Sequence, residues 1–547
     1  MRHSIRRGEK KGGDERIVHA LLVLIVAFVA LYEIAFVIGP SYFGDDTVYL
    51  GLANSVLHGG FMENAQVFSV RILNIYPIAF FYLFGVNNLT SAAWAITSFI
   101  GSILVAFYLG KEIYSRYAGL LAALLMAFFP LFVVLSETPT PNVPEAFLTG
   151  LTMLALILAM RRNSGKWYFA AGALLVASVL TTPLSAIIFG VVLVYLAAEF
   201  VRKKFRVDGT TIHLLYGIIA AGALLALFNL ANSGNPFITF TVTDSAYSTA
   251  GTPAEGILIN QDPHYYFQVM FPYGVLQSIS NSLANGALNP ITLFQGFYAV
   301  SSNYVGFYFY AFVAAALYLI LARERRAYLP LLWFALAFLY LEFGPIYLSL
   351  IPFKYILSHR LERYLTTVSI PLMLIISIAL VRFAQSAKGW ARGITVPLSS
   401  VAAVFLILTA VPINLLWHNI VYYQTYDQQA VANYLNALPS TTRVYLLSGF
   451  ANLIEYMGYN NMQRFYVYDQ IHNCTDIPSG SYVVVPKYQE VFGVPFTPNP
   501  LAYCPYWRLV LYPQISGSYS PSLAAAAQAF SAQLFYVPSN SANQTAR

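Results

Sequence analysis

The chain has 547 residues, 58% of them hydrophobic and only 10% charged, with 30 Lys and Arg against 23 Asp and Glu. Soluble globular chains carry about 25% charged residues, so the composition excludes a soluble enzyme and points to a polytopic membrane protein. The net charge of +7 does not indicate nucleic-acid binding, because the basic residues fall at the ends of apolar runs.

In chain order, apolar runs predict about eleven membrane spans, near 17–39, 91–110, 119–136, 145–160, 168–182, 184–200, 213–232, 304–322, 329–350, 364–383 and 394–416. The first run is too long for a cleaved signal peptide and lacks a small-residue cleavage site, so it reads as a retained signal anchor. The connections alternate in charge. "MRHSIRRGEKKGGDER", "KEIYSR", "RRNSGK", "RKKFR", "RERR" and "VRFAQSAKGWAR" hold 21 of the 30 Lys and Arg. The positive-inside rule assigns these, and the N-terminus with them, to the cytoplasm. Loops 40–90 and 233–303 are then external. So are all three Asn-x-Ser/Thr sequons, at Asn88, Asn473 and Asn543. Residues 235–303 read as a long loop with helices lying on the membrane. A re-entrant segment or two additional spans are the alternatives.

Residues 417–547 change character. Apolar runs shorten to strand length in "RVYLLSG", "RFYVYD", "SYVVVP", "RLVLYP" and "QLFYVP", with helical stretches "QQAVANYLNAL" and "FANLIEYMG" between some of them. The pattern predicts an external α/β domain following a membrane domain over 1–416. It contains both cysteines, Cys474 and Cys504, which are either a disulfide suited to an external compartment or two buried thiols. Only ten of its 131 residues are charged, which would suit a surface facing acid.

Three clusters could carry chemistry. Asp45 and Asp46 lie at the outer end of the first span, before "TVYLGLANSVL". There Val48, Leu52, Val56 and Leu57 share one helical face, as in a helix lying on the bilayer. Two readings are open: a helix cap, favoured by the N-terminal dipole, or a general base for an attacking hydroxyl or amide. Adjacent acids also interact, so one can titrate late while the other binds a cation. Second, four external cations lie before the C-terminal region: Arg71, Lys354, Arg360 and Arg363. The last three crowd into "PFKYILSHRLERYL", as expected of a phosphate site or of anchors for the next helix. Third, "SETPTPNVPEAF" presents Glu137, Asn142 and Glu145 outward on a stiff, proline-rich turn. His58, His264 and His359 show no metal spacing. Glu33 and Glu342 are acids inside spans, which usually face a protein interior.

These pieces resemble the GT-C membrane glycosyltransferases, most closely the protein O-mannosyltransferase and aminoarabinose-transferase group. The likeness rests on "DDTVYLGLANSVLHGG", with Asp45, Asp46 and Tyr49, and on the segment from Pro77 to Gly85. It extends to the two spans joined by a basic turn and to "HRLERYLTTVSIPLMLI". It covers residues 17–200 best. It implies a GT-C-like fold and inverting transfer of a sugar from a polyprenyl (dolichyl) phosphate carrier, on the outer face, to a glycan, lipid or protein acceptor. Asp45 is then the general base, and external cations such as Arg360 and Arg363 hold the donor phosphate. A divalent metal, Mg or Mn, is used by some relatives, and here Asp46 and Glu137 would be its ligands. Two departures stand out. Asn142 sits where the group often has an acid before Pro144, and "LTTPLS" lacks the usual Lys.

Three competing readings remain. An oligosaccharyltransferase would carry a "WWD" signature, which is absent. A transporter or flippase of lipid-linked sugars would show repeated halves. A non-catalytic GT-C-like binding protein is compatible with Asn142 but not with the retained Asp pair.

Overall fold

The computed structural model describes residues 13–39, 46–59, 70–202, 208–248, 266, 270, 305–350, 353–357, 361–386, 392–446, 464–467, 476–486, 490–491, 494–495, 504, 506–511 and 532–538. The chain divides into two compact units. One comprises Met1–Phe36, Ala65–Asn74 and Ala95–Leu415; the other comprises Val37–Asn64, Ile75–Trp94 and Leu416–Arg547.

The first unit is a helical membrane body. Its helices, with two that run on into the second unit, are α1 (Gly13–Phe36), α4 (Asn88–Ile113), α5 (Arg116–Ala127), α6 (Pro130–Ser136), α7 (Asn142–Arg162), α8 (Gly165–Val179), α9 (Ile187–Val201), α10 (His213–Ser233), α11 (Ile238–Ser248), α12 (Phe307–Leu321), α13 (Tyr328–Phe343), α14 (Thr366–Ser386) and α15 (Arg392–Ala437). Between α1 and α4 the chain forms α2 (Asp46–Leu57) and α3 (Ile72–Tyr82). Among the described residues eight helices are long and apolar enough to span a bilayer, or nine if the bent pair α5–α6 is one span. Two further expected spans, near 168–182 and 304–322, are the 15-residue apolar helices α8 and α12. The 57° bend between α5 and α6 follows from Pro130 opening α6, where a missing N–H costs nothing. The span expected over 329–350 ends at Phe343 instead. Residues Pro345–Leu350 and Phe353–Leu357 pair as an antiparallel hairpin, β1–β2.

Burial sorts these helices into inner and outer ones. Of the apolar windows of α7 and α14, 83% is buried, against 22% for α1 and 17% for α10. The outer helices leave Leu, Ile and Phe side chains exposed, such as Leu31 and Leu224, as lipid contact requires. Helix ends are set locally. Ser115 caps α5, accepting from Ala118 N–H, and Asn163 ends α7 in the left-handed region at φ 46°. Arg161 and Arg162 in the last turn of α7 suit its negative dipole end.

In the second unit a five-stranded sheet runs in the order β4-β3-β5-β9-β8. Its strands are β3 (Val444–Leu446), β4 (Phe465–Val467), β5 (Tyr482–Pro486), β8 (Arg508–Leu511) and β9 (Ala532–Tyr536), which are the five expected runs. A small ladder pairs β6 (Glu490–Val491) with β7 (Val494–Pro495). β3 is parallel to β4 and β5, while β9 is antiparallel to β5 and β8. "QQAVANYLNAL" is the end of α15; "FANLIEYMG" lies outside the described residues. Buried Arg464 donates to the carbonyls of Leu435, Leu438 and Pro439 at the end of α15, satisfying acceptors the helix leaves open. Cys504 is disulfide-bonded. Cys474 lies outside the described residues.

Helices α8 and α10 approach each other closely. A Cβ on Gly172 would stand 2.0 Å from the Leu214 carbonyl oxygen, and one on Gly217 2.1 Å from that of Phe169. Small residues let backbones meet in this way. Gly172→Ala must part the two helices and is expected to cost about 1–3 kcal/mol, as overpacking does. Gly222→Ala, in open space, should leave the melting temperature in nanodiscs unchanged.

Candidate active site

The polar residues of the first unit gather around Glu145. This carboxylate is on the first turn of α7 and fully buried. Thr367, on α14 and 222 residues away, donates to its Oε1 at 3.3 Å. Thr182 and Ser185 set their hydroxyls beside it. Both belong to the short turn that opens α9, where Pro183 starts a 3-10 helix at Pro183–Ala186. Arg71 lies within electrostatic reach of Glu145. It is carried by the residues just before α3, which are tied to the end of α8 by Leu73 N–H donating to the Leu180 carbonyl at 3.1 Å. Four distant segments thus meet on one carboxylate.

Several buried polar atoms here have no hydrogen-bond partner among the described residues: Glu145 Oε2, Asn142 Oδ1, and both amide atoms of Asn74, one turn on from Arg71. Native interiors satisfy nearly all such atoms, so a group of them marks a place for water or ligand. Arg363 stands at the same end of α14 as Thr367. Its carbonyl accepts from Thr366 Oγ1 at 2.9 Å, and its guanidinium lies 5.8 Å from the Tyr364 ring centre. The preceding residue pair is held by Tyr266, whose hydroxyl donates to the Leu361 carbonyl and accepts from Leu361 N–H, both at 3.2 Å. Nothing local in the sequence marks Tyr266, Thr182, Ser185 or Thr367. Of the other expected phosphate ligands, Lys354 is on β2, paired across the hairpin with Ser349, and Arg360 lies outside the described residues.

Glu137 has different neighbours. It caps α6 and is buried, close enough to Glu33 and Tyr32 to act on them electrostatically. Ser136 donates to Glu33 Oε2 at 2.9 Å. The intramembrane acid Glu33 therefore faces protein, as expected, and Glu342 is likewise buried on α13. Their inward placement follows from the cost of a carboxylate in lipid.

The second unit contains Asp46, the first residue of α2 and 3% exposed. Asp45 lies outside the described residues, as do His264 and His359. His58 is exposed, its Nδ1 2.8 Å from the Asn54 carbonyl. The residues of α2 buried in protein are Asp46, Thr47, Tyr49, Leu50 and Ala53, and Leu57, on the face expected against the bilayer, is 39% exposed. Both faces satisfy helical spacing.

Among the described residues no three His, Cys, Asp or Glu side chains gather as metal ligands would. Burial pushes the Glu137 carboxyl up to about 9. The same shift has a consequence for stability. An unfolded glutamate loses its proton near 4.5, whereas folded Glu137 keeps it to about 9. Stability therefore falls as pH rises through that window. Glu137→Gln removes this slope, so its melting temperature should drop less than wild type's between about pH 6 and pH 9; equal drops would contradict the assignment.

Residues 73–227 match the family model described as dolichyl-phosphate-mannose-protein mannosyltransferase. No curated protein sequence matches the chain. Among solved structures, the chain is similar to ArnT from Cupriavidus metallidurans in the apo state. The identity is 12% and the TM-score 0.50, over 86% of this chain and 93% of that one. It is similar more distantly to the oligosaccharyltransferase AglB from Archaeoglobus fulgidus, in complex with an inhibitory peptide and a dolichol-phosphate. There the identity is 15% and the TM-score 0.46, over 85% of this chain and 69% of that one. The ArnT likeness concerns the fold, and the family match covers α3 to α10. Residues 73–227 are thus similar to the dolichyl-phosphate-mannose-protein mannosyltransferase family, and the fold of the chain is similar to that of ArnT.

Proposed function

We infer that the enzyme transfers one sugar from a polyprenyl-phosphate carrier to an acceptor hydroxyl on the extracytoplasmic face, inverting the anomeric carbon. The observation that carries this reading is the end of the first unit at Glu145. There a cation, Arg71, acts on a buried carboxylate, and buried amide and carboxylate atoms have no partner among the described residues. A lipid-linked sugar phosphate supplies an anion for Arg71 and an acceptor for the Asn74 amide N–H, and its sugar hydroxyls supply donors for Asn142 Oδ1, Asn74 Oδ1 and Glu145 Oε2.

In this reading the acceptor oxygen bonds to the anomeric carbon as the bond from that carbon to the phosphate oxygen breaks. Asp45 takes the hydroxyl proton, and Asp46 holds the start of α2. Arg71 and Arg363, with Lys354 and Arg360, absorb the charge left on the departing polyprenyl phosphate. Glu145 is a positioning residue that aims Arg71. The acceptor is a glycan, lipid or protein. Three observations support an external active site: the basic loops assigned to the cytoplasm, the sequons on the other side, and the disulfide at Cys504, which needs an oxidising compartment. The membrane is a plasma or ER-type membrane.

The test is donor turnover, read as free polyprenyl phosphate released from polyprenyl-phosphate mannose by protein in nanodiscs, with membrane extract as acceptor. Asp45→Asn should lower kcat by about 10²–10⁴-fold while donor binding persists. Glu145→Gln should raise the donor KM more than it lowers kcat. Normal turnover by Asp45→Asn would make the acid pair a helix cap.

A further inference from the structure

A second cavity opens in the first unit, of about 830 Å³, at the opposite end of α7 from Glu145. Arg161 and Glu145 are sixteen residues apart on that helix, about 24 Å at 1.5 Å per residue. Four arginines line the cavity, Arg161, Arg202, Arg325 and Arg326, against a single carboxylate, Glu199. They come from the ends of α7 and α9 and from the 3-10 turn Arg325–Ala327 before α13.

Three of these four exposed arginines have partners beside the cavity. Arg161 bonds to Glu112 Oε2 at 2.8 Å. Arg202 bonds to Glu199 Oε1 at 3.0 Å and lies 5.3 Å from the Tyr328 ring centre. Arg326 lies 5.5 Å from the Tyr114 ring centre. Four guanidiniums around one cavity repel each other unless an anion joins them, and the acids present offset only part of the charge. Guanidinium is the side chain best shaped for a bidentate grip on phosphate. The rest of the wall is apolar, including Ile157, Val194 and Leu329, and Val194 is 42% exposed where the helices face lipid. A free inorganic anion has no use for that wall; an acyl chain does.

We propose that this cavity binds the phosphate headgroup of an anionic phospholipid from the leaflet that bathes the arginine-rich helix ends, with an acyl chain along Val194. It is a structural lipid site bridging α7, α9 and α13, separate from the donor site. Basic pockets between membrane helices take acidic headgroups for the same electrostatic reason.

Native mass spectrometry of the full chain released from nanodiscs of mixed phosphatidylglycerol and phosphatidylcholine tests it. Wild type should retain phosphatidylglycerol in preference to phosphatidylcholine. Arg325→Gln/Arg326→Gln changes two exposed side chains and should fold as wild type, checked by its melting temperature. It should retain phosphatidylglycerol about thirtyfold less, as expected for two lost cations near an acidic headgroup. Glu199→Gln, which removes the carboxylate, should retain more. Millimolar inorganic phosphate separates the two sources of the anion: lipid that stays bound in its presence supports the proposal. Displacement of lipid by phosphate, absence of headgroup preference in wild type, or unchanged retention in the folded double variant each overturns it.

Discussion

A carboxylate buried in a membrane protein must be surrounded by polar partners, because leaving it in an apolar interior is costly. Glu145 imposes that constraint on this fold. Its position is workable only if α14 brings Thr367, the turn before α9 brings Thr182 and Ser185, and the segment before α3 brings Arg71. These residues are scattered across nearly 300 positions of the chain. Meeting on one side chain fixes the mutual register of the two most buried helices, α7 and α14.

Function follows from what this arrangement leaves incomplete. The cluster is stable enough to hold Arg71, yet Asn142, Asn74 and Glu145 still offer polar atoms without partners among the described residues. In the proposed transfer such a preorganised, partly unsatisfied site suits a donor phosphate, which binds best where the polar groups are already aimed. The other end of α7 has a different task. There the charges face each other around a cavity in the helix ends, and the chemistry is that of membrane lipid.

Much of this was legible in the sequence, for physical reasons. Spans and strands announce themselves through local apolar runs, so the helices and the five strands of the C-terminal sheet fall where the runs predict. Charge asymmetry located the basic helix ends. Glu145, Asn142, Arg71 and Arg363 could be picked out as polar groups out of place in apolar surroundings. What could not be read are the pairings. Glu145 with Thr367, Glu33 with Ser136 and Tyr266 with Leu361 join residues far apart in the chain, and such contacts leave no period to detect. The hairpin at Pro345–Leu350 and Phe353–Leu357 was hidden within an aromatic, apolar run that also suits a helix.

The most direct test of the central claim is the affinity of the protein for polyprenyl monophosphate without sugar, measured by tryptophan fluorescence in nanodiscs. Wild type is compared with Arg71→Gln and Arg363→Gln, each first shown to melt as wild type does. If these cations hold the carrier phosphate, each variant should bind about tenfold more weakly, the effect expected for losing a charge-assisted bond. Binding by both variants as tight as wild type's would contradict the account and remove the donor phosphate from this end of the first unit.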